Sequence, residues 1–164
     1  MKLLVFSDTH GDVEAMRDII SRHRNNVDIV IHLGDCLKDL QSVMVDFPTI
    51  ANLGVMGNCD YAFMYPNAKY EGTFTVEGIK IFYTHGHKYN VKNGYDYIVS
   101  NAKFNNAGIV LFGHSHVSVI EKRGDVTVIN PGSLSYPRDS SLGTYAMLEI
   151  KDGKLKAEIK ELDL

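Results

Sequence analysis

The chain has 164 residues, of which 45% are hydrophobic and 23% are charged, values ordinary for one folded domain with a sizeable core. We therefore expect residues 1–164 to form one domain. The formal net charge of −3 argues against a protein that binds nucleic acid through bulk positive charge. No apolar run approaches the roughly 18 residues that span a bilayer, and the apolar stretch Leu3–Phe6 is too short for a secretory signal. We expect a cytoplasmic protein that contacts no membrane and whose two cysteines are free thiols.

The first third of the chain alternates short apolar runs with amphipathic segments. Val13, Met16 and Ile19 recur at helical spacing after Asp12, a residue type that caps helix N-termini. The β-α-β-α-β order predicts a parallel sheet with right-handed crossovers. The predicted strands are Leu3–Phe6, Asp28–Leu33 and Ile50–Met56, and the predicted helices are Asp12–Arg22 and Leu37–Asp46.

The rest of the chain is richer in strands. Glu77-Gly78 predicts a two-residue hairpin turn, and Asp152-Gly153 predicts a second turn between strands. The predicted strands are Gly72–Val76, Ile79–Tyr83, Ile109–Phe112, Val117–Lys122, Val126–Asn130, Thr144–Ile150 and Leu155–Leu162, with one helix at Tyr95–Phe104. We therefore expect two packed sheets with helices outside them, the first built around the parallel strands.

Polar residues with metal-binding side chains directly follow five of these strands. They are Asp8-Thr9-His10, Gly34-Asp35, Gly57-Asn58-Cys59-Asp60, Thr84-His85-Gly86-His87 and Gly113-His114-Ser115-His116. Ligands of open α/β sheets gather beyond the carboxyl ends of the strands, and five of the seven histidines lie in these loops. The pattern predicts one site at this edge.

Imidazole and carboxylate together are ligands for Mn²⁺, Fe²⁺, Zn²⁺, Ni²⁺ or Co²⁺, and the sequence has no thiolate cluster for a structural zinc. Asp-x-His and His-x-His at strand ends place alternate side chains on one side, so that two ligands reach one ion. A carboxylate that bridges two ions about 3.5–4 Å apart would give a hydrolytic centre.

In order and approximate spacing, the series Asp8-x-His10, Gly34-Asp35, Gly57-Asn58-x-Asp60, His85 and Gly113-His114-x-His116 resembles the calcineurin-like metallophosphoesterase superfamily. It is most similar to the small single-domain phosphodiesterases of bacteria and archaea. The resemblance implies an α/β (α+β) fold, a four-layer double β-sandwich flanked by helices. It also implies a hydrolase that cleaves phosphodiester bonds.

The resemblance further implies a role for each motif residue. Asp8, His10 and His116 would hold one ion, and Asn58, His85 and His114 the second. Asp35 would bridge both, and a hydroxide shared by the ions would attack phosphorus in line with the leaving group. Mn²⁺ is the expected metal, with Ni²⁺, Fe²⁺, Zn²⁺ and Co²⁺ as alternatives. The expected substrate is a small phosphodiester, such as one derived from a nucleotide, and a homodimer is the expected assembly.

Cys59 departs from the family pattern. Many members have His after the motif's Asn, where it can protonate the leaving group. A thiol is a poor substitute for imidazolium in that role. We therefore expect nitrophenyl diesters to be cleaved well and alkyl esters slowly. Asn58, Cys59 and His85 are the candidate catalytic residues.

Several further residues have two interpretations. His87 lines the site, orients a ligand or is itself a further ligand, although the ligand set is complete without it. Asp60 either orients a neighbouring group or closes a turn. Arg138 is the basic residue close after Asn130–Ser133 and is a candidate contact for a substrate phosphate, whereas Asn130–Ser133 is either a tight turn or a substrate loop. His32 alternates with buried strand positions and is expected in the core.

An aromatic run follows the third motif and has two interpretations as well. It either stacks on a nucleobase or buries a subunit contact. Its members are Tyr61, Phe63, Tyr65 and Tyr70.

Two other functions fit the same fold. A non-enzymatic scaffold occurs in the superfamily, but every expected ligand position here has a competent residue, which favours an enzyme. A phosphomonoesterase is the second alternative. The chain lacks the insertions and basic residues that would clamp a doubly charged monoester, which favours diesters.

Overall fold

The computed structural model describes residues 1–140 and 142–163. Its ten strands are β1 Lys2–Phe6, β2 Ile29–His32, β3 Ala51–Gly54, β4 Glu71–Val76, β5 Ile79–Thr84, β6 Ile109–Leu111, β7 Ser118–Arg123, β8 Val126–Pro131, β9 Thr144–Lys151 and β10 Lys154–Glu161. The helices are α1 Val13–His23, α2 Leu37–Met44 and α3 Asp96–Phe104, and single 3₁₀ turns lie at Ala62–Met64 and His87–Tyr89. No helix among the described residues is long and apolar enough to cross a membrane.

The strands form two five-stranded sheets, in the orders β10-β9-β1-β2-β3 and β4-β5-β6-β8-β7. Strands β1, β2 and β3 are parallel, as the opening pattern predicted, and β9 and β10 extend that sheet antiparallel. In the second sheet β5, β6 and β8 are parallel, with antiparallel strands at both edges. Every predicted strand and helix is present. Their ends differ by at most two residues, and the two 3₁₀ turns were not predicted.

The side chains of β1 point alternately into two different cores, which shows how the layers form. Leu3 and Val5 pack in a core between the two sheets, whereas Leu4 and Phe6 pack under α1 and α2. A third cluster joins the outer face of the second sheet to α3, for example through Val110. Since successive side chains of a strand point to opposite faces, a strand buried on both faces must be apolar throughout. The predicted four-layer double sandwich, helices outside two sheets, is confirmed.

The carboxyl ends of the parallel strands of both sheets meet at one edge of the sandwich. Within the first sheet the backbone N–H of Asp8 donates to the carbonyl of Gly34 at 3.0 Å. Within the second, the N–H of Gly113 donates to the carbonyl of His85 at 2.9 Å. The N–H of His114 donates to Asp8 Oδ2 at 3.0 Å and so connects the two sheets. This edge brings the predicted motifs together.

Candidate metal centre

One group of donor atoms is formed by Asp8, His10 and His116, whose ligand atoms all lie within 4.8 Å of one another. Asp8 Oδ1 is 3.0 Å from His116 Nε2 and 4.0 Å from His10 Nε2. This oxygen is fully buried and accepts no well-formed hydrogen bond from the described residues. Burial alone would raise the pKa of Asp8, but His116, His85 and Ser7 together lower it. A buried, ionised oxygen that faces imidazole nitrogens fits a bound cation.

The second group is formed by Asp35, His85 and His114, again with ligand atoms within 4.8 Å of one another. His85 Nε2 lies 3.5 Å from Asp35 Oδ1 and 3.2 Å from Asn58 Oδ1. Burial opposes ionisation of Asp35, yet His85 and the Cys59 N–H, which donates at 2.8 Å, hold its pKa well below the usual range. Burial and the nearby charge of His85 lower the pKa of His114 to about 4. Two oxygens and neutral imidazole nitrogen are suitable donors for a divalent ion.

Backbone carbonyls fix the orientation of two imidazoles. His85 Nδ1 lies 2.7 Å from the Leu33 carbonyl oxygen, and His116 Nδ1 lies 2.8 Å from that of Tyr136. In the neutral form of a ring whose Nδ1–H donates to a carbonyl, the lone pair lies on Nε2. Both Nε2 atoms therefore face the donor groups and offer a lone pair to a cation when the ring is neutral.

The ligand loops have an unusual backbone conformation. Five of the seven predicted ligands have φ between 43° and 66°, a left-handed region that non-glycine residues rarely adopt. Such residues cost of order 1–3 kcal/mol each and cluster at functional sites. They are Asp8, His10, Asp35, His114 and His116.

Two motif glycines leave space for the ligand carboxylates. A Cβ on Gly57 would lie 2.1 Å from Asp35 Oδ1, and one on Gly113 would lie 1.8 Å from Ser7 Oγ and 2.8 Å from Asp8 Oδ2. Neither glycine has a positive φ. They are required here for close approach rather than for a turn.

Asp60 supports the loop that carries Asp35. Its Oδ2 accepts the backbone N–H groups of Asp35 and Gly57, at 3.0 and 2.8 Å, and its Oδ1 accepts those of Cys36 and Leu37, at 3.0 and 2.9 Å. Four N–H groups, three around the start of α2 and one after β3, are thus satisfied by one carboxylate. Asp60 therefore orients the Asp35 loop and belongs to neither donor group.

A buried hydrogen-bonded chain joins the Asp8 loop to the Asp35 loop. The Gly34 N–H donates to His32 Nδ1 at 3.2 Å, so Nε2 carries the ring proton and faces Thr9 Oγ1 at 2.9 Å. Thr9 Oγ1 donates to Asp39 Oδ2 at 2.7 Å, which also accepts the Gly11 N–H at 2.8 Å. His32 is buried, as predicted. Sequence reasoning missed Asp39, although an acid among the buried positions of α2 was a signal for it.

The loop Asn130–Ser133 stabilises the ligand loops through side-chain hydrogen bonds. The Asn130 amide donates to the Gly113 carbonyl at 3.0 Å and to Ser115 Oγ at 2.9 Å. Ser133 Oγ donates to the carbonyl of Asp8 at 2.8 Å. Both residues are buried, so their contacts are to the protein. No sequence pattern indicated these partners.

Three further candidate residues lie around the donor groups. The His87 ring centroid is 5.3 Å from that of His85 and 6.1 Å from that of His114, but His87 belongs to neither donor group. Cys59 is exposed overall, but partial desolvation of its thiol and the charge of Asp35 raise its pKa to about 11. The side chain of Arg138 is exposed, and its backbone N–H donates to the His116 carbonyl at 2.9 Å.

Comparison with known proteins agrees with this geometry. The family model of the calcineurin-like phosphoesterase superfamily domain matches residues 1–153. The probable metallophosphoesterase YsnB of Bacillus subtilis is 33% identical over 152 residues, which cover 93% of this chain and 86% of YsnB. The phosphodiesterase YfcE of Escherichia coli is 26% identical over 168 residues, with 91% and 88% covered.

A solved structure shows the same fold. The crystal structure of a predicted phosphoesterase from Streptococcus pneumoniae superposes with a TM-score of 0.83 at 29% identity, covering 98% of this chain and 88% of that one. Calcineurin-like phosphoesterases bind divalent metals, and the two donor groups suit such ions. The chain belongs to the calcineurin-like phosphoesterase superfamily and is a hydrolase of the metallophosphoesterase type.

Proposed function

We propose that the chain is a metal-dependent phosphodiesterase that uses two divalent ions, Mn²⁺ by expectation, to hydrolyse small phosphodiesters. The observation that carries this proposal is the arrangement of one loop between the two donor groups. His114 belongs to one group and His116 to the other, and Ser115 alone separates them. The Asp8 carboxylate contacts both, through the His114 N–H at Oδ2 and the His116 ring at Oδ1. This arrangement supports the proposal of two neighbouring cation sites.

The proposed ligand sets follow the donor groups. Asp8, His10 and His116 hold one ion, and His85, His114 and Asn58 hold the second. Asp35, which lies with the second group, is proposed to contribute to both. The Asn58 amide oxygen adds a donor without adding negative charge that would repel the substrate phosphate.

The bound ions would acidify a water molecule and stabilise the charge that develops on the phosphoryl oxygens. The protein's part is to hold that water and the phosphorus in line with the leaving group. The loops that do so are fixed by the hydrogen bonds of Asp60, Asn130 and Ser133. Preorganised donors need no rearrangement during the reaction.

A preference for diesters is supported by the charge of the centre and by the relatives. The neutral amide oxygen of Asn58 lies 3.2 Å from His85 Nε2, beside the second donor group. A diester carries one negative charge, so it needs less local positive charge than a doubly charged monoester. YfcE of Escherichia coli is named as a phosphodiesterase.

The test is hydrolysis of bis-(4-nitrophenyl) phosphate by metal-depleted protein, with and without added Mn²⁺, beside the monoester 4-nitrophenyl phosphate. We expect Mn²⁺-dependent turnover, with kcat/KM at least tenfold higher for the diester. Hydrolysis of the monoester alone would contradict the diester preference. No metal-stimulated turnover of either ester would favour the non-enzymatic scaffold.

A further inference from the structure

A cavity of about 340 Å³ lies beside the candidate metal centre. Its size falls in the range of small-molecule pockets, about 300–1,000 Å³. It is lined by Val91, Lys92, Tyr95, Ser115, Val117 and Arg138. The two valines and the tyrosine ring provide apolar surface, and two cationic side chains complete the lining.

The wall of this cavity is continuous with the ligand loops. Ser115 lies between His114 and His116 in the chain, and Val91 packs so closely on Gly86 that a Cβ there would be 3.0 Å from Val91 Cγ2. A group that occupies the cavity therefore lies next to the donor groups, within the reach of one substrate molecule.

Both cations of the lining are attached to backbone that lies against the ligand loops. The backbone N–H of Arg138 donates to the carbonyl of His116 at 2.9 Å. Lys92 directly follows Val91, whose side chain packs on Gly86, the residue after His85. Each cation thus lies beside a different ligand loop.

Neither cation is neutralised by the surrounding protein. Within residues 1–140 and 142–163, Lys92 and Arg138 form no ion pair, and no acid lines the cavity. Asp139 follows Arg138 but accepts hydrogen bonds from the N–H and hydroxyl of Ser118, at 2.7 and 2.6 Å. In a chain with net charge −3, such a pair of free cations attracts an anion.

We propose that this cavity is a subsite for a second phosphate of the substrate, held by Lys92 and Arg138 while the scissile diester lies at the metal centre. The inference rests on the proposed phosphodiesterase function and narrows its substrate class. The preferred substrates are phosphodiesters with an additional terminal phosphate, such as phosphorylated nucleotide esters. The apolar surface of Val91, Val117 and Tyr95 would contact the part of the substrate that joins the two phosphates.

The test uses two chromogenic diesters that differ in one phosphate group. They are thymidine 5′-(4-nitrophenyl phosphate) and the same compound phosphorylated at the 3′ oxygen. Release of nitrophenolate reports cleavage of the same bond in both. With Mn²⁺ at fixed ionic strength, we expect kcat/KM to be about tenfold higher for the 3′-phosphorylated compound, mainly through a lower KM.

The variant that tests the cations is Lys92→Gln combined with Arg138→Gln. We expect the ratio of the two kcat/KM values to fall from about ten to near one. The matched control is Lys151→Gln combined with Lys154→Gln, which removes the same charge from exposed positions at the turn between β9 and β10. The control ratio should remain near the wild-type value.

Three results would overturn the subsite. The first is a wild-type ratio of one or lower, and the second is an unchanged ratio in the cation variant. The third is a selective loss of 4-nitrophenyl phosphate hydrolysis in that variant, because the cations would then contact the reacting phosphoryl group. Absence of nitrophenolate release from both compounds would instead contradict the proposed function. Binding of thymidine 3′,5′-bisphosphate to Mn²⁺-loaded protein, measured by calorimetry, needs no turnover. A dissociation constant equal in wild type and cation variant would then reject the subsite separately.

Discussion

The carboxylate of Asp60 accepts the backbone N–H of Asp35 at 3.0 Å, although the two residues are both acidic. Asp60 accepts three further N–H groups, so its charge is balanced by backbone dipoles rather than by a base. One acid therefore fixes the position of another. Asp60 supports the loops of the site, whereas Asp35 faces the imidazoles of His85 and His114.

Asp60→Asn should weaken metal binding and destabilise the fold. The amide nitrogen cannot accept two of the four N–H groups. We expect Mn²⁺ affinity to fall by about 10- to 100-fold, as for partners that orient metal ligands. The free energy of unfolding should fall by about 1–3 kcal/mol. Calorimetric titration and urea denaturation measure the two effects, with Asp125→Asn at an exposed turn position as the control. Equal behaviour of both variants would refute this role.

Gly57→Ala should displace the Asp35 carboxylate, because the added Cβ would lie 2.1 Å from its Oδ1 and 2.5 Å from the Asp35 nitrogen. Overpacking of this kind typically costs about 1–3 kcal/mol. We expect Mn²⁺ binding at the second donor group to be lost. Gly108→Ala is the matched control, since its Cβ would meet only Ile79 Cγ2 at 3.7 Å. Normal Mn²⁺ binding by the Gly57 variant would contradict the close packing.

His32 should make the stability of the metal-free protein depend on pH. Complete burial lowers the pKa of His32 to about 4 from an unfolded value of 6.5. Between these values the unfolded chain binds a proton that the folded chain excludes, so stability is full above pH 6.5 and falls as the pH drops towards 4. The difference of about 2.5 pKa units corresponds to roughly 3 kcal/mol.

His32→Gln removes this contribution while an amide can still bond to Thr9. The free energy of unfolding from pH 7 to pH 4 should fall less steeply in this variant than in the wild type. The acids of the metal centre and His114 also lose stabilising ionisation states on acidification, but they are present in both proteins. Burial also lowers the pKa of the half-exposed His23 at the end of α1, so the profile of His23→Gln should lie between those of the wild type and His32→Gln. Parallel pH profiles for wild type and His32→Gln would disprove the assignment.

Cys59→His should change the leaving-group dependence of hydrolysis. The Cys59 thiol, with a pKa of about 11, is poorly matched to proton transfer near neutral pH, whereas imidazole is well matched. We expect the variant to gain at least tenfold in kcat/KM on a dialkyl phosphodiester, from which an alkoxide must leave. Bis-(4-nitrophenyl) phosphate should change little, because nitrophenolate needs no proton. An unchanged ratio of the two rates would remove Cys59 from the mechanism.

The elements of this fold were predictable because parallel strands buried on both faces have distinctive sequences. Leu3–Phe6 and Ile109–Phe112 are short apolar runs, and the motifs that follow them lie together since the sheets place those ends at one edge. The ligand groups therefore follow from local patterns. The 3₁₀ turn at His87–Tyr89 does not, because it depends on the left-handed Gly86 and on packing against distant residues.

The supporting residues were not predictable for the same reason. Asp39 and Thr9 are 30 positions apart, and Ser133 bonds to Asp8 across 125 positions. Their sequence surroundings are those of an ordinary helix and an ordinary turn. Only the folded chain shows which backbone group each side chain satisfies, and these contacts decide how rigidly the metal ligands are held.

The central claim is that seven side chains hold a pair of divalent ions, and the stoichiometry of Mn²⁺ binding tests it most directly. Metal-depleted wild-type protein, titrated with Mn²⁺ by calorimetry and checked by elemental analysis, should bind two ions per chain. His10→Ala, which removes a donor from one group, and His114→Ala, which removes a donor from the other, should each bind one tightly. A wild-type value of one ion or none, or two tight ions in both variants, would contradict the account.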